Sequence, residues 1–184
     1  MYKEGLYEFD FKNCGCEKFD QEGNIVHGLS AVDFVVETDA HVLFIEVKDY
    51  DTLKKKIENT EDGKEKEDLS QHYRNRIKED LKKFRLNVHL FAEDLSRKFK
   101  DSILRKYVSG YKFEKPVIYI LILEIDSVSF AAKERNELRL AIVRNIPTFS
   151  TIQPRQIEME NFELLDIEAF SEKYNFPVCL CLEK

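Results

Sequence analysis

The chain has no tryptophan, two methionines, four prolines and six glycines among 184 residues. It carries no glycine-rich phosphate loop and no serine elbow, so those routes to nucleotide binding and acyl transfer are closed. It has no low-complexity linker and no internal repeat. No stretch approaches the ~20 apolar residues needed to cross a bilayer, and the opening Met1–Phe11 has no apolar signal core. A cytoplasmic chain with no membrane partner is the expectation. The four histidines (His27, His41, His72, His89) show no ligand spacing. The four cysteines fall in two Cys-x-Cys pairs, Cys14/Cys16 and Cys179/Cys181. Structural zinc ligands more often have about two to four intervening residues, and a cytosolic chain of this size does not depend on disulfides.

Positive charge is also short, with a formal net charge of -6. Such a balance speaks against general nucleic-acid binding, but its distribution is uneven. Residues 1–53 hold 4 Lys+Arg against 12 Asp+Glu, a net of -8, whereas residues 72–106 hold 11 against 5, a net of +6. With 43% hydrophobic and 35% charged residues the chain is globular rather than disordered. Its length predicts a single domain over residues 1–184.

What is present is concentrated between Ala31 and Asp49, AVDFVVETDAHVLFIEVKD. Val32, Phe34 and Val36 alternate with Asp33, Val35 and Glu37; Leu43, Ile45 and Val47 alternate with Val42, Phe44, Glu46 and Lys48. Alternation of β-branched and aromatic residues predicts two strands, and Thr38-Asp39-Ala40-His41 predicts the tight turn between them. A turn centred between Asp39 and Ala40 sets Val35 opposite Phe44, Asp33 opposite Glu46 and Ala31 opposite Lys48. Directly opposed residues share a face, with Cβ atoms about 4.5–5.5 Å apart. Two carboxylates facing each other need a cation between them, and a divalent metal suits the position. The face made by Val32, Phe34, Val36, Leu43, Ile45 and Val47 is wholly apolar and is expected in the core. On a solvated sheet, Asp33, Glu46 and Lys48 would be no more than the polar half of the alternation. Val35, Val42 and Phe44 on the same face argue for partial burial instead.

An Asp on one strand followed by Glu-x-Lys on the next resembles the PD-(D/E)XK nuclease superfamily, with Val32 in place of the motif's proline. The resemblance covers roughly residues 24–50. It implies a restriction-endonuclease-like α/β fold, a central mixed β-sheet flanked by helices, and Mg²⁺-dependent hydrolysis of phosphodiesters in nucleic acid, DNA foremost. Asp33, Glu46 and the carbonyl of Val47 would hold Mg²⁺, for which Mn²⁺ can substitute, and Asp33, Glu46 and Lys48 would be the catalytic set. Lys48 is cast as an electrostatic group ahead of a general base. The product would carry a 5′-phosphate, and homodimers are common among relatives. The superfamily's usual opening helix with an additional glutamate is missing. Glu8, Asp10, Glu17 and Asp20 are the acids available in its stead, with Glu8 preferred.

Asp68 to Tyr107 contains no glycine or proline. Ile77, Leu81, Phe84, Val88, Phe91, Leu95, Phe99, Ile103 and Tyr107 recur at helical spacing, predicting a long basic helix with a break near Asn87. Arg74, Arg76, Lys78, Lys82 and Lys83 lie off the stripe, as do Arg85, Arg97, Lys98 and Lys100. They are free to meet phosphate or merely to form a solvated face. Gln71 is an accessory candidate at the start of this helix. Val117–Leu123 reads as a central strand covered on both faces. Ala131–Arg135 reads as a short helix, Leu138–Val143 as a strand, Phe162–Tyr174 as an amphipathic segment and Phe176–Leu182 as a last strand.

Three functions are compatible with this reading. One is a metal-dependent nuclease. A second is a catalytically inactive protein of the same fold that binds nucleic acid or a protein partner. The third is a structural or immunity-type α/β protein whose acidic half meets a basic partner.

Overall fold

Strands dense in Val, Ile, Leu, Phe and Tyr form the centre of the molecule, and the computed structural model places them between two separate apolar layers. It describes residues 1–20, 29–50, 61, 63–68, 70, 71, 75, 88–125, 132–146 and 159–181. In chain order the elements are β1 (Tyr2–Glu4), β2 (Tyr7–Phe9), β3 (Gly15–Lys18), β4 (Phe34–Glu37), β5 (Val42–Asp49), α1 (Val88–Val108), β6 (Val117–Glu124), α2 (Ala132–Asn145), β7 (Met159–Leu165), α3 (Ile167–Tyr174) and β8 (Val178–Leu180). Residues 63–68 are helical as well.

The main sheet is mixed, in the order β3-β4-β5-β6-β7. The β3/β4 and β4/β5 pairs are antiparallel; β5/β6 and β6/β7 are parallel. A second sheet, β1-β2-β8, is antiparallel throughout. The β4–β5 hairpin has the register that its turn dictates: Phe34 pairs Ile45, Val35 pairs Phe44, Val36 pairs Leu43 and Glu37 pairs Val42. Thr38 closes the turn, its Oγ1 donating to the His41 carbonyl and accepting from the His41 amide, both at 3.0 Å.

Both faces of the sheet are covered. Phe44, Tyr119, Leu121 and Phe162 meet α1 and α2 through Phe91, Leu95, Phe99, Leu138 and Ile142. On the other side Phe34, Leu43, Ile45, Ile118 and Ile120 meet Phe9, Phe11, Phe170 and Phe176 from the small sheet and α3. That two-sided burial is why β6 is apolar at almost every position rather than alternating. Val32 departs from its expected face: it precedes the ladder and packs in the α1 layer.

The Leu138–Val143 stretch, read as a strand, is part of α2. Leu138, Ala141 and Ile142 recur at spacings of three and one and make one buried helix face, while Leu140 and Val143 are exposed. The Phe162–Tyr174 segment divides at Asp166. Its first half joins β7; its second half becomes α3, capped by Asp166 Oδ1 accepting from the Ala169 amide at 2.8 Å. Helix α1 ends in a Schellman motif. Gly110 has φ 85°, its amide donates to the Tyr107 carbonyl, and the Tyr111 amide donates to the Lys106 carbonyl, each at 3.0 Å. Among the described residues no helix is long and apolar enough to cross a membrane.

Candidate metal centre

The site lies where the start of β4, the second half of β5, the middle of α1 and strand β1 converge. The β4–β5 ladder stops at the Phe34–Ile45 pair, and the next β5 amide on that side belongs to Val47. Asp33 takes it, Oδ2 accepting from the Val47 amide at 2.6 Å. Asp33 and Glu46 therefore sit one step past the last backbone pair, and both are buried, with Glu46 0% exposed.

Helix α1 fixes this corner from above. Its Ser102 hydroxyl accepts from the Val32 amide at 2.9 Å and donates to the Lys98 carbonyl at 2.7 Å. Asp101 Oδ2 accepts from the Ser30 amide at 2.9 Å. Arg105 donates to the Phe19 carbonyl at 2.9 Å, its guanidinium lying 4.2 Å from the centre of the Phe19 ring. The Phe19 amide in turn donates to the Asp33 carbonyl at 2.9 Å. The backbone on both sides of the carboxylates is thus tied to one helix.

The charges converge unevenly. Glu46 Oε1 accepts from Lys98 at 2.7 Å and lies 3.1 Å from Lys48 Nζ. Glu46 Oε2 is buried and has no hydrogen-bond partner among the described residues, and the same holds for Asp20 Oδ1. Glu4, Asp20 and Asp33 each present a carboxylate oxygen within 4.8 Å of the others. Lys18 borders them, 3.0 Å from Glu4 and 4.0 Å from Asp20. Below the carboxylates the buried Tyr119 hydroxyl donates to the Leu95 carbonyl at 3.1 Å.

Burial holds the Asp33 carboxyl well above the usual carboxylate range, and the neighbouring charge of Glu46 adds to the effect; Lys98 opposes it. The Lys98 ammonium shifts upward because the charges of Glu46 and Asp33 outweigh its own desolvation. Tyr119 stays a phenol, held well above its ordinary value by burial first and by Glu46 and Asp33 next. A cluster of oxygen donors, two of them buried without a hydrogen-bond partner among the described residues, suits a hard divalent cation, because an unsatisfied buried carboxylate oxygen costs stability that a coordinated ion recovers.

Of the residues singled out in the sequence, Asp33, Glu46, Val47 and Lys48 come together here. Glu8 does not join them. It pairs with Lys3 in the small sheet, so it faces away from Glu4, and its carboxylate takes a hydrogen bond from Cys181. Gln71 is exposed, its amide donating to Asn75 Oδ1 at 2.9 Å. Arg74, Arg76, Lys78, Lys82 and Lys83 lie outside the described residues, as does most of the first half of the expected long basic helix; α1 covers its second half from Val88.

Three further side chains stand at the site: Glu4, which the sequence reading did not name; Asp20, one of the acids available for a further ligand; and Lys98, read as free to meet phosphate or as part of a solvated face. Glu4 and Asp20 reach it through the folding of the small sheet and of β3, which no local pattern reveals. Lys98 had a signal. It stands three residues after Leu95 and four before Ser102, half-buried at the border of the buried face of α1, and a lysine at that border is within reach of a buried carboxylate. Compared with protein-family models, curated proteins and solved structures, the chain matches none.

Proposed function

We propose that this chain is a divalent-metal-dependent phosphodiesterase acting on nucleic acid, DNA foremost, with a restriction-endonuclease-like fold and a PD-(D/E)XK-type site. The observation that carries the reading is the meeting of Asp33 and Glu46 in a buried corner, with Lys48 on the same face and one Glu46 oxygen without a partner.

Asp33, Glu46 and the carbonyl of Val47 would hold Mg²⁺ or Mn²⁺, with Glu4 and Asp20 as the further carboxylates. The ion would lower the pKa of a bound water and offset charge on the scissile phosphate. The protein's own part is positional. The Asp33–Val47 hydrogen bond fixes one carboxylate against the strand that bears the other, so the donors are arranged before any substrate arrives. Lys48, 17% exposed in its side chain and 3.1 Å from Glu46, directs an ammonium at the mouth of the site. There it meets a phosphate oxygen and stabilises the negative charge that grows as the water attacks. Tyr119 and the α1 residues below exclude bulk water, which strengthens each of these interactions.

A second reading, a protein of this fold that binds without cutting, is favoured by one observation: Glu46 is already neutralised by two lysines. A cleavage panel separates the two. Supercoiled, linear, single-stranded and branched DNA, and RNA, are incubated with Mg²⁺ or Mn²⁺ and with wild type, Lys48→Ala or Asp33→Ala. The nuclease reading expects cutting by wild type and a loss of about 10²–10³-fold or more in each variant, the scale of removing one charge-stabilising group. Binding that weakens with salt but yields no metal-dependent product supports the second reading. Equal cutting by wild type and both variants overturns the assignment.

A further inference from the structure

Lys98 occupies a position that the two-strand motif does not provide. Its Nζ lies 2.7 Å from Glu46 Oε1, and the charges of Asp33 and Asp20 also act on it. It is therefore a cation held by Glu46 and acted on by Asp33 and Asp20, which together with Glu4 present carboxylate oxygens within 4.8 Å of one another. We propose that Lys98 is the resident cation of this niche: its ammonium takes the place of a divalent ion and must leave Glu46 for that ion to bind, so Lys98 sets the metal affinity of the site. The inference rests on the metal-dependent reading above and adds a role for a residue outside the motif.

Three features support it. First, the two lysines converge on one oxygen of Glu46 and leave the other unpartnered, so the ammoniums satisfy the carboxylate only in part. Second, the charge count suits an exchange. In the form that would bind an ion, with Asp33 having released the proton that burial favours, the niche has four carboxylates (Glu4, Asp20, Asp33, Glu46) and three ammoniums (Lys18, Lys48, Lys98). Without Lys98 the excess is two negative charges, the charge of one divalent ion. Third, Lys98 is able to move. Its backbone is held in α1, where its carbonyl accepts from Ser102, but its side chain is 30% exposed and its long stem can carry the ammonium to water without disturbing the helix.

The test measures metal binding rather than turnover. Mn²⁺ is titrated calorimetrically into the full chain as wild type, Lys98→Met and Lys98→Arg, with circular dichroism to verify folding. The expected result is Mn²⁺ binding at least about tenfold tighter in Lys98→Met, the size of one partly buried charge interaction, while Lys98→Arg stays near wild type. Adding Asp33→Asn to Lys98→Met should remove the tight binding, placing the ion at this niche. Should Lys98→Met fail to fold, Lys98→Gln keeps a hydrogen-bond donor without the charge and carries the same expectation. Equal or weaker binding in the uncharged variant, with wild type binding, overturns the role of Lys98 alone. Absence of Mn²⁺ binding in every variant overturns the metal-dependent reading and this inference together.

Discussion

Both faces of the central sheet have an apolar core, but only the α1 face also buries charge. Toward the small sheet and α3 the packing is aromatic and apolar: Phe34 lies 5.3 Å from Phe9 and 5.4 Å from Phe11 between ring centres, and Phe176 meets Phe11 at 5.3 Å. Toward α1 the same sheet buries Asp33, Glu46 and the Tyr119 hydroxyl beside Ser96 and Ser102. Buried charge opposes folding unless it is paired, whereas buried rings favour it. The apolar packing of both faces thus supplies the stability that allows the α1 face also to hold groups the fold would be steadier without, the usual position of a functional site.

The largest blow to this contrast is on the apolar side. Phe34→Ala empties a fully buried position between Phe9 and Phe11 and is expected to cost about 3–5 kcal/mol, read as a lower denaturant midpoint at unchanged slope. A cost below about 1 kcal/mol would mean that the aromatic packing of this face contributes little to stability. A smaller effect is expected across the sheet. Ser102→Ala leaves the buried Val32 amide without its acceptor and should cost about 1–3 kcal/mol, with Mn²⁺ affinity falling as the corner around Asp33 loosens. Stability lost with no change in Mn²⁺ binding would confine Ser102 to packing.

The smallest change sharpens the contrast by reversing sign. Because the Asp33 carboxyl is held above its ordinary value, the folded chain binds a proton that the unfolded chain has released. Stability is then full below the usual carboxylate range and is lost as pH rises through the folded-state value. Asp33→Asn removes this loss while its amide oxygen can still accept from Val47. The variant should melt a few degrees above wild type at neutral pH without metal, and the gap should close on acidification. Mn²⁺ should raise the wild-type melting temperature and leave the variant unmoved. Parallel melting curves from pH 4 to pH 8 would contradict the burial of a charged group here.

The hairpin was legible in the sequence because alternation and a short turn are local. Pairing Val35 with Phe44 followed from those alone, and the meeting of Asp33 with Glu46 was one step of arithmetic further. The apolar stripe of α1 was legible for the same reason. The helix at Leu138–Val143 was not, since six residues that are apolar except for Arg139 fit either period and the exposed Leu140 and Val143 are visible only after packing. Glu4 lies 29 positions from Asp33, and Glu8, the acid preferred from the sequence, faces the wrong way because Gly5, at φ 58°, turns β1 back so that Lys3 pairs with Glu8. Such a choice between acids is settled by tertiary register, which no single-sequence pattern encodes.

Glu46 and Lys48 also share a strand that lies third of five. Its first half is paired on both sides, and its second half is held by β6 and, through Val47, by Asp33. Amides in such a strand exchange with solvent only when the whole fold opens, while the sheet's borders open locally. The carboxylate on this strand therefore has a fixed origin on every timescale shorter than global unfolding. Whatever the site must accommodate, in ion size or substrate shape, is left to the long lysine arms that surround it.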